Sequence, residues 1–273
     1  MHESILLYRS FRYLKIAIGF VAISALLYAY HEPIGEPNGG TWLGYSLGTI
    51  AGILILWLSW FGVRKRIYGP GEVKLEAWLS AHVYLGLALA VVATLHSGFQ
   101  MGWNVHALLY VVMMVVILSG LVGVYFYVRY PSLIAENRRG HTTEMMLTQI
   151  ADLDREMKRL AINSTDQTMA AIMSSVQETS IGESFISQLR GHELTCPTTL
   201  ARKTIEAHSS DGEEKIRRQI LSRLVRKEEI LKRVRKDVQM RSWMRIWLYF
   251  HVPFTFATIA ALAAHVVIVF YYW

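Results

Sequence analysis

Long apolar runs alternate with short polar loops along the first half of the chain, and a further apolar run begins near residue 246. Five runs approach the ~20 residues that a helix needs to cross a hydrocarbon core. They are Leu14–Tyr30, Leu43–Val63, Ala77–Phe99, His106–Val128 and Ile246–Trp273. The pattern predicts an all-α membrane protein with five transmembrane helices.

Lysine and arginine are confined to the N-terminal tail, the loop around Arg64–Arg66, which extends to Lys74, and the segment before the fifth run, whereas His31–Trp42 and Gln100–Val105 contain none. With five spans these basic regions share one side, which is typical of the cytoplasmic face. We expect an integral protein of a bacterial inner membrane with a cytoplasmic N terminus and an extracytoplasmic C terminus, where Tyr271–Trp273 would lie at the outer interface. We expect the apolar helices to be surrounded by membrane lipid. The formal net charge of +7 does not indicate a nucleic-acid partner, because the basic residues follow the one-sided distribution of a membrane protein.

A polar insertion divides the chain into residues 1–129 with four spans, residues 130–243, and residues 244–273 with the fifth span. Between Tyr130 and Ser242 the insertion has one aromatic residue after Tyr130, Phe185, so we expect no large globular core. Apolar residues at helical spacing predict helices over Thr143–Ile162 and Asp211–Met240. The candidate N-caps of the second helix are Ser209, Ser210 and Asp211. The insertion is interpreted as a cytoplasmic helical hairpin or an arm that docks another subunit, with a solvated loop of frayed helices as the alternative.

Two histidine pairs of equal spacing lie within the apolar runs, His82 with His96 and His251 with His265. Two residues fourteen positions apart in an α-helix lie on the same face and are separated by roughly 21 Å along the helix axis. The third and fifth spans cross the membrane in the same direction, so depth matches His82 with His251, named here the inner pair, and His96 with His265, the outer pair. Ligating side chains inside spans indicate function, and two facing imidazole pairs suit two b haems, each with two axial ligands.

Haem propionates require polar partners near each pair. The candidates at the inner pair are Arg64, Lys74, Arg241 and Arg245. No lysine or arginine is available at the outer pair, where the candidates are His31, Trp103, His106, Tyr110 or backbone amides. His106 could also bind a quinone oxygen or simply lie in the interface.

The segment HVYLGLALAVVATLH, from His82 to His96, together with the later pair of the same spacing, resembles the ferric reductase-like transmembrane domain. That superfamily includes ferric reductases, NADPH oxidases and bacterial di-haem cytochromes b. The resemblance covers the five spans and implies two b haems between two helices, each helix giving one ligand per haem. By this resemblance the haem ligands would be His82, His96, His251 and His265. Other di-haem cytochromes b use a similar geometry.

The chain departs from ferric reductases and oxidases because it has no GxGxxG or GxxxxGK[ST] motif and ends after its last span, where a flavin and nicotinamide nucleotide domain is usual. We therefore expect electrons to enter or leave through another subunit or a quinone. The leading hypothesis is a di-haem cytochrome b subunit of a redox complex, with two b haems, a quinone as an additional ligand, and a c-type cytochrome, iron–sulfur protein or flavoprotein as partner. Alternatives are the membrane half of a ferric reductase or oxidase with a separate flavoprotein, and a non-redox membrane anchor. Whether the chain is itself an enzyme stays open.

Overall fold

A computed structural model of the chain describes residues 5–64, 75–182, 184–191, 196–207 and 214–271. Within these ranges all regular structure is helical and no strand occurs. After a 3-10 turn at Ile5–Leu7 the helices are α1 (Tyr8–Ala29), α2 (Trp42–Arg64), α3 (Leu75–Ser97), α4 (Val105–Arg138), α5 (Thr143–Ala161), α6 (Asp166–Gln177), α7 (Phe185–Arg190), α8 (Pro197–Ala207) and α9 (Glu214–Tyr271).

Five stretches, in α1, α2, α3, the region of α4, and α9, are long and apolar enough to cross a membrane. This confirms the predicted fold class at the level of an all-helical protein with five candidate spans.

Two helices extend beyond the predicted spans. Helix α4 continues past Val128 to Arg138 although it contains Pro131, because a proline removes one helical hydrogen bond without forbidding the turns beyond it. Helix α9 joins the predicted insertion helix and the fifth span into 58 residues. The predicted N-caps Ser209, Ser210 and Asp211, and the interfacial residues Tyr272 and Trp273, lie outside the described residues.

The chain forms two compact units: a membrane unit, Met1–Val128 with Trp247–Trp273, and a polar unit, Arg129–Ile246. In the membrane unit α3 packs against both α1 and α2. Its packed face carries small or slender side chains, including Ala77, Ala88 and the fully buried Val92. Small residues let membrane helices approach closely. The backbones of α1 and α2 can therefore come close to the side chains of α3.

The polar unit has more internal packing than a simple arm. Its α5, α6, α8 and the first part of α9 supply one apolar cluster, consisting of Met157, Ala161, Ile172, Ala201, Ile205, Ile220 and Leu224. A second cluster joins α5 and α9 through Met146, Ile150, Leu153, Ile230, Leu231 and Val234. Methionine and aliphatic residues at helical spacing on several short helices therefore form a small core without aromatic residues.

Two buried charges in the polar unit are paired. Lys227 Nζ lies 2.7 Å from Asp154 Oδ1 and donates to the carbonyl of Ser175 at 2.8 Å. Burial lowers the pKa of Lys227, and Asp154 opposes that effect. Asp237 accepts from Arg138 Nη2 at 2.7 Å and lies 3.3 Å from Arg241 Nη2. Such pairing is expected because an unpaired buried charge would cost several kcal/mol.

Candidate functional site

The outer pair begins with His96 at the end of α3. Its Nδ1 lies 2.8 Å from the carbonyl oxygen of Gly44 on α2. A carbonyl oxygen only accepts hydrogen bonds, so Nδ1 of His96 donates. In the neutral imidazole this assigns the proton to Nδ1 and leaves Nε2 without one. The ring rests against two glycines: a Cβ built on Gly48 would lie 2.5 Å from His96 Cε1, and one on Gly39 would lie 3.2 Å from it. Only glycine at position 48 leaves room for this ring.

His265 on α9 completes the outer pair. The ring centroids of His96 and His265 are 6.1 Å apart, with 77° between the planes. Two imidazoles on opposite sides of one metal ion, at metal–nitrogen bonds of ~2.0–2.1 Å, would have centroids roughly 6 Å apart. The Nδ1 of His265 lies 2.6 Å from Nδ1 of His106, in the first turn of α4. The spacing of the outer pair fits two axial ligands.

The inner pair shares a cavity of about 90 Å³ in the membrane unit, lined by both His82 and His251. This space is several times that required by one water molecule. Gly86 and Gly120 contribute to its walls. A Cβ on Gly86 would meet no atom within 4 Å, and one on Gly120 would lie 3.7 Å from His251 Cε1. The space beside His82 is therefore open on the glycine side.

The orientation of His251 is fixed by α4. Ser119 Oγ donates its single proton to the Val116 carbonyl at 2.8 Å, so its 2.7 Å contact with His251 Nδ1 must be a bond in which the imidazole donates. His251 thus has the same assigned tautomer as His96, with a proton-free Nε2. Trp247 Nε1 donates to the Ser119 carbonyl at 2.7 Å, which ties the same turn of α4 to α9.

His82 is held least firmly of the four. Its Nδ1 is buried and forms no hydrogen bond of normal geometry with any residue in the described ranges, although the backbone of Leu58 on α2 interacts with the ring. The ring of Phe61 lies beside it, with centroids 5.1 Å apart. Leu58 and Gly44 are fourteen residues apart on α2, the same separation as His82 and His96 on α3. The backbone of α2 therefore meets both histidines of α3.

Each helix that carries one histidine of each pair has a supporting helix: α2 provides backbone groups to the histidines of α3, and α4 provides Ser119 and His106 to those of α9. Outer-shell partners of this kind orient metal-bound imidazoles and set their tautomer. Sequence reasoning missed Gly44, Gly48 and Ser119. The available signals were the four-residue spacing of Gly44, Gly48 and Gly52 and the hydroxyl of Ser119 within an apolar run.

The predicted propionate partners of the inner pair are dispersed. Arg241 pairs with Asp237, Arg64 lies over the ring of Trp78 at 6.0 Å, Arg245 is exposed, and Lys74 lies outside the described residues. The role of Arg245 stays a prediction.

The predicted polar partners of the outer pair are equally varied. Tyr110 Oη lies 2.9 Å from Thr94 Oγ1, His31 lies against Trp42 with ring centroids 5.1 Å apart, and Trp103 is fully exposed. His106, the fourth candidate, contacts the pair directly through His265.

A bare metal ion is not what this arrangement suits. Among the described residues, no group of three or more His, Cys, Asp or Glu side chains is placed to hold a metal ion. A haem needs only two ligands from the protein, because the macrocycle supplies the others. The paired imidazoles, the hydrogen-bonded Nδ1 atoms of His96, His251 and His265, and the glycine-walled cavity at the inner pair fit that requirement.

Comparisons with family models, curated proteins and solved structures found no match to this chain. The resemblance to the ferric reductase-like transmembrane domain therefore rests on the histidine pattern alone and stays a prediction.

Proposed function

We propose that the chain is the di-haem cytochrome b subunit of a membrane redox complex and moves electrons across the bilayer. The observation that supports this most is that the outer imidazoles face each other at 6.1 Å while both carry hydrogen bonds at Nδ1. This arrangement leaves Nε2 of His96 available for a metal and, with Nδ1 of His265 as donor, Nε2 of His265 as well. Nothing in ordinary helix packing requires two intramembrane histidines to meet in this way.

The inner pair supports the same proposal by different means. His82 and His251 line one cavity, and glycines keep a wall of that cavity free of side chains. The remaining lining is mostly aliphatic, for example Leu89, Met113 and Ile117, so it excludes water and lowers the local dielectric constant. A flat, largely apolar macrocycle is a ligand of the matching chemistry.

A haem with two imidazole ligands has no open coordination position and supplies electron transfer rather than oxygen binding. The residues of the chain perform the other tasks. His82, His96, His251 and His265 would hold the metal, Ser119 and the Gly44 carbonyl orient two of these rings, and the apolar walls would keep water away. Tuning through such contacts sets the potential of each centre.

The proposed orientation places the inner pair toward the cytoplasm of a bacterial cell, because lysine and arginine are confined to the loops on that side. The outer pair would then exchange electrons with a quinone or with an extracytoplasmic partner such as a c-type cytochrome. The polar unit would dock a further subunit.

The decisive experiment is purification of the full chain in detergent under anaerobic conditions, followed by pyridine haemochrome analysis. We expect about two b haems per chain. The matched control replaces all four pair histidines by alanine and should contain none. Absence of haem from the wild-type protein, or equal haem in wild type and control, would contradict the proposal.

A second measurement identifies the electron donor. Reduction of the haems by a quinol alone favours the respiratory subunit. Reduction only by NAD(P)H together with a purified flavoprotein would instead indicate the membrane half of a reductase or oxidase.

A further inference from the structure

The contact of His106 with His265 is not explained by the proposed haem sites alone. It lies in the first turn of α4, where Asn104 Oδ1 accepts from the Ala107 backbone N–H at 3.0 Å and fixes the start of the helix. From there its Nδ1 reaches Nδ1 of His265 at 2.6 Å, with the ring centroids 4.6 Å apart and the planes at 89°.

A contact between two Nδ1 atoms at this distance requires one proton between them, so one ring donates and the other accepts. The contact alone allows either direction. If His265 holds a metal through Nε2, its proton must be on Nδ1, and His106 must then accept with a bare Nδ1. His96 and His251 carry the same tautomer, assigned independently from the Gly44 carbonyl and from Ser119.

We infer that His106 is a positioning residue of the outer site, which accepts the Nδ1–H hydrogen bond of His265 and so keeps Nε2 of His265 directed to the metal. This inference rests on the proposed function. It also limits two other roles of His106: with Nδ1 engaged by His265, a quinone oxygen could be bound only through Nε2–H, and Nδ1 does not serve as a metal ligand.

His106 thereby corresponds to Ser119 at the inner site, since each accepts from the α9 histidine of its pair. The acceptors differ in kind: a ring nitrogen at the outer site and a hydroxyl oxygen at the inner site. Loss of an outer-shell partner of this type typically weakens metal binding 10- to 100-fold.

The test compares His106→Leu with His106→Asn in the full chain. Asn Oδ1 stands as many bonds from the backbone as His Nδ1 and can accept the same hydrogen bond, whereas the leucine side chain branches alike but has no acceptor. The readouts are haem content, low-temperature electron paramagnetic resonance of each oxidised haem, and a potentiometric titration. His96→Ala and His82→Ala variants assign the outer and inner components.

We expect His106→Leu to weaken haem retention at the outer site at least tenfold, or to favour the reduced over the oxidised outer haem about tenfold, a shift of about +59 mV for one electron. His106→Asn should restore most of the wild-type behaviour. The inner component should be unchanged in both, and it reports in the same sample that the protein has folded.

An outer haem that is identical in wild type and His106→Leu would overturn the inference. So would equal disturbance by both variants, because that result would indicate packing rather than hydrogen bonding. In either case two haems in the wild type would leave the proposed function standing, whereas a wild type without haem would remove the function itself.

Discussion

The outer and inner histidine pairs differ in how completely the protein organises them. At the outer pair both rings are hydrogen bonded at Nδ1 and His96 is pressed between glycines of α2 and its preceding loop. At the inner pair only His251 has a hydrogen bond of normal geometry at Nδ1, while His82 borders a cavity. The neighbouring residues hold both rings of the outer pair, whereas the inner pair retains open space beside His82.

This difference teaches that equal spacing in the sequence need not produce equal sites. The separation of fourteen residues determines how far apart the imidazoles lie along the helix axis. The contacts from the supporting helices determine how freely each ring can rotate. An outer ligand whose ring is held on several sides loses little entropy on binding a metal. The inner site should depend more on the bound group to order His82.

The largest expected effect is the loss of one haem when a pair is broken. His96→Ala and His251→Ala should each remove one of two haems, and different ones, as measured by haem content and difference spectra. The double variant His96→Ala/His265→Ala should lose no more than either single change, because both residues serve one site. His96→Ala/His251→Ala should lose both haems. If instead the first double variant loses both haems, the pairing by depth is wrong.

The next largest effect comes from filling the glycine contact at the outer pair. Gly48→Ala places a methyl group 2.5 Å from His96 Cε1, so it should displace the ring and abolish haem binding at the outer site while the inner haem remains. Gly52→Ala, one turn along α2, is the control, since its nearest neighbour is Leu262 Cδ1 at an ordinary 3.8 Å. Component spectra of the two purified variants check this, and equal outer haem in both would contradict the role given to Gly48.

An intermediate effect is expected at the inner cavity. A methyl group at Gly86 meets no protein atom within 4 Å, so Gly86→Ala should leave the fold intact and weaken the inner haem selectively, because only a bound group would occupy that space. Gly62→Ala also meets nothing within 4 Å but does not line the cavity, and it should leave both haems unchanged. Haem retention during gel filtration measures the difference. An unaffected inner haem in Gly86→Ala would place the macrocycle elsewhere.

The smallest expected effect is removal of the hydroxyl that orients His251. Ser119→Ala should weaken inner haem binding about tenfold, the lower limit for a lost outer-shell partner, and should leave the outer haem unchanged. Ser46→Ala is the control, because Ser46 Oγ donates to the Trp42 carbonyl within its own exposed turn of α2. A haem competition assay with apomyoglobin gives the ratio of affinities. A shift confined to the outer haem would contradict the assignment of Ser119.

Hydrophobic runs and histidine spacing sufficed to predict five helices long and apolar enough to span a membrane, and to name the four histidines that the structure brings together as two pairs. The sequence could not predict the support from α2, because Gly44 and Leu58 contribute backbone groups that any residue possesses. Ser119 was missed for a related reason: a lone hydroxyl in a span usually bonds within its own helix. In the polar unit, the sparse aromatic content concealed two clusters of methionine and aliphatic side chains.

The glycines of α2 have a consequence for how this protein tolerates change. A support made of a carbonyl group cannot be deleted by substitution, since every residue at position 44 retains that oxygen. The outer pair is instead sensitive to substitutions that enlarge a side chain, since one methyl group at position 48 would collide with the His96 ring. Substitution scans that only truncate side chains would therefore pass over α2, whereas a scan that enlarges small residues would reveal it.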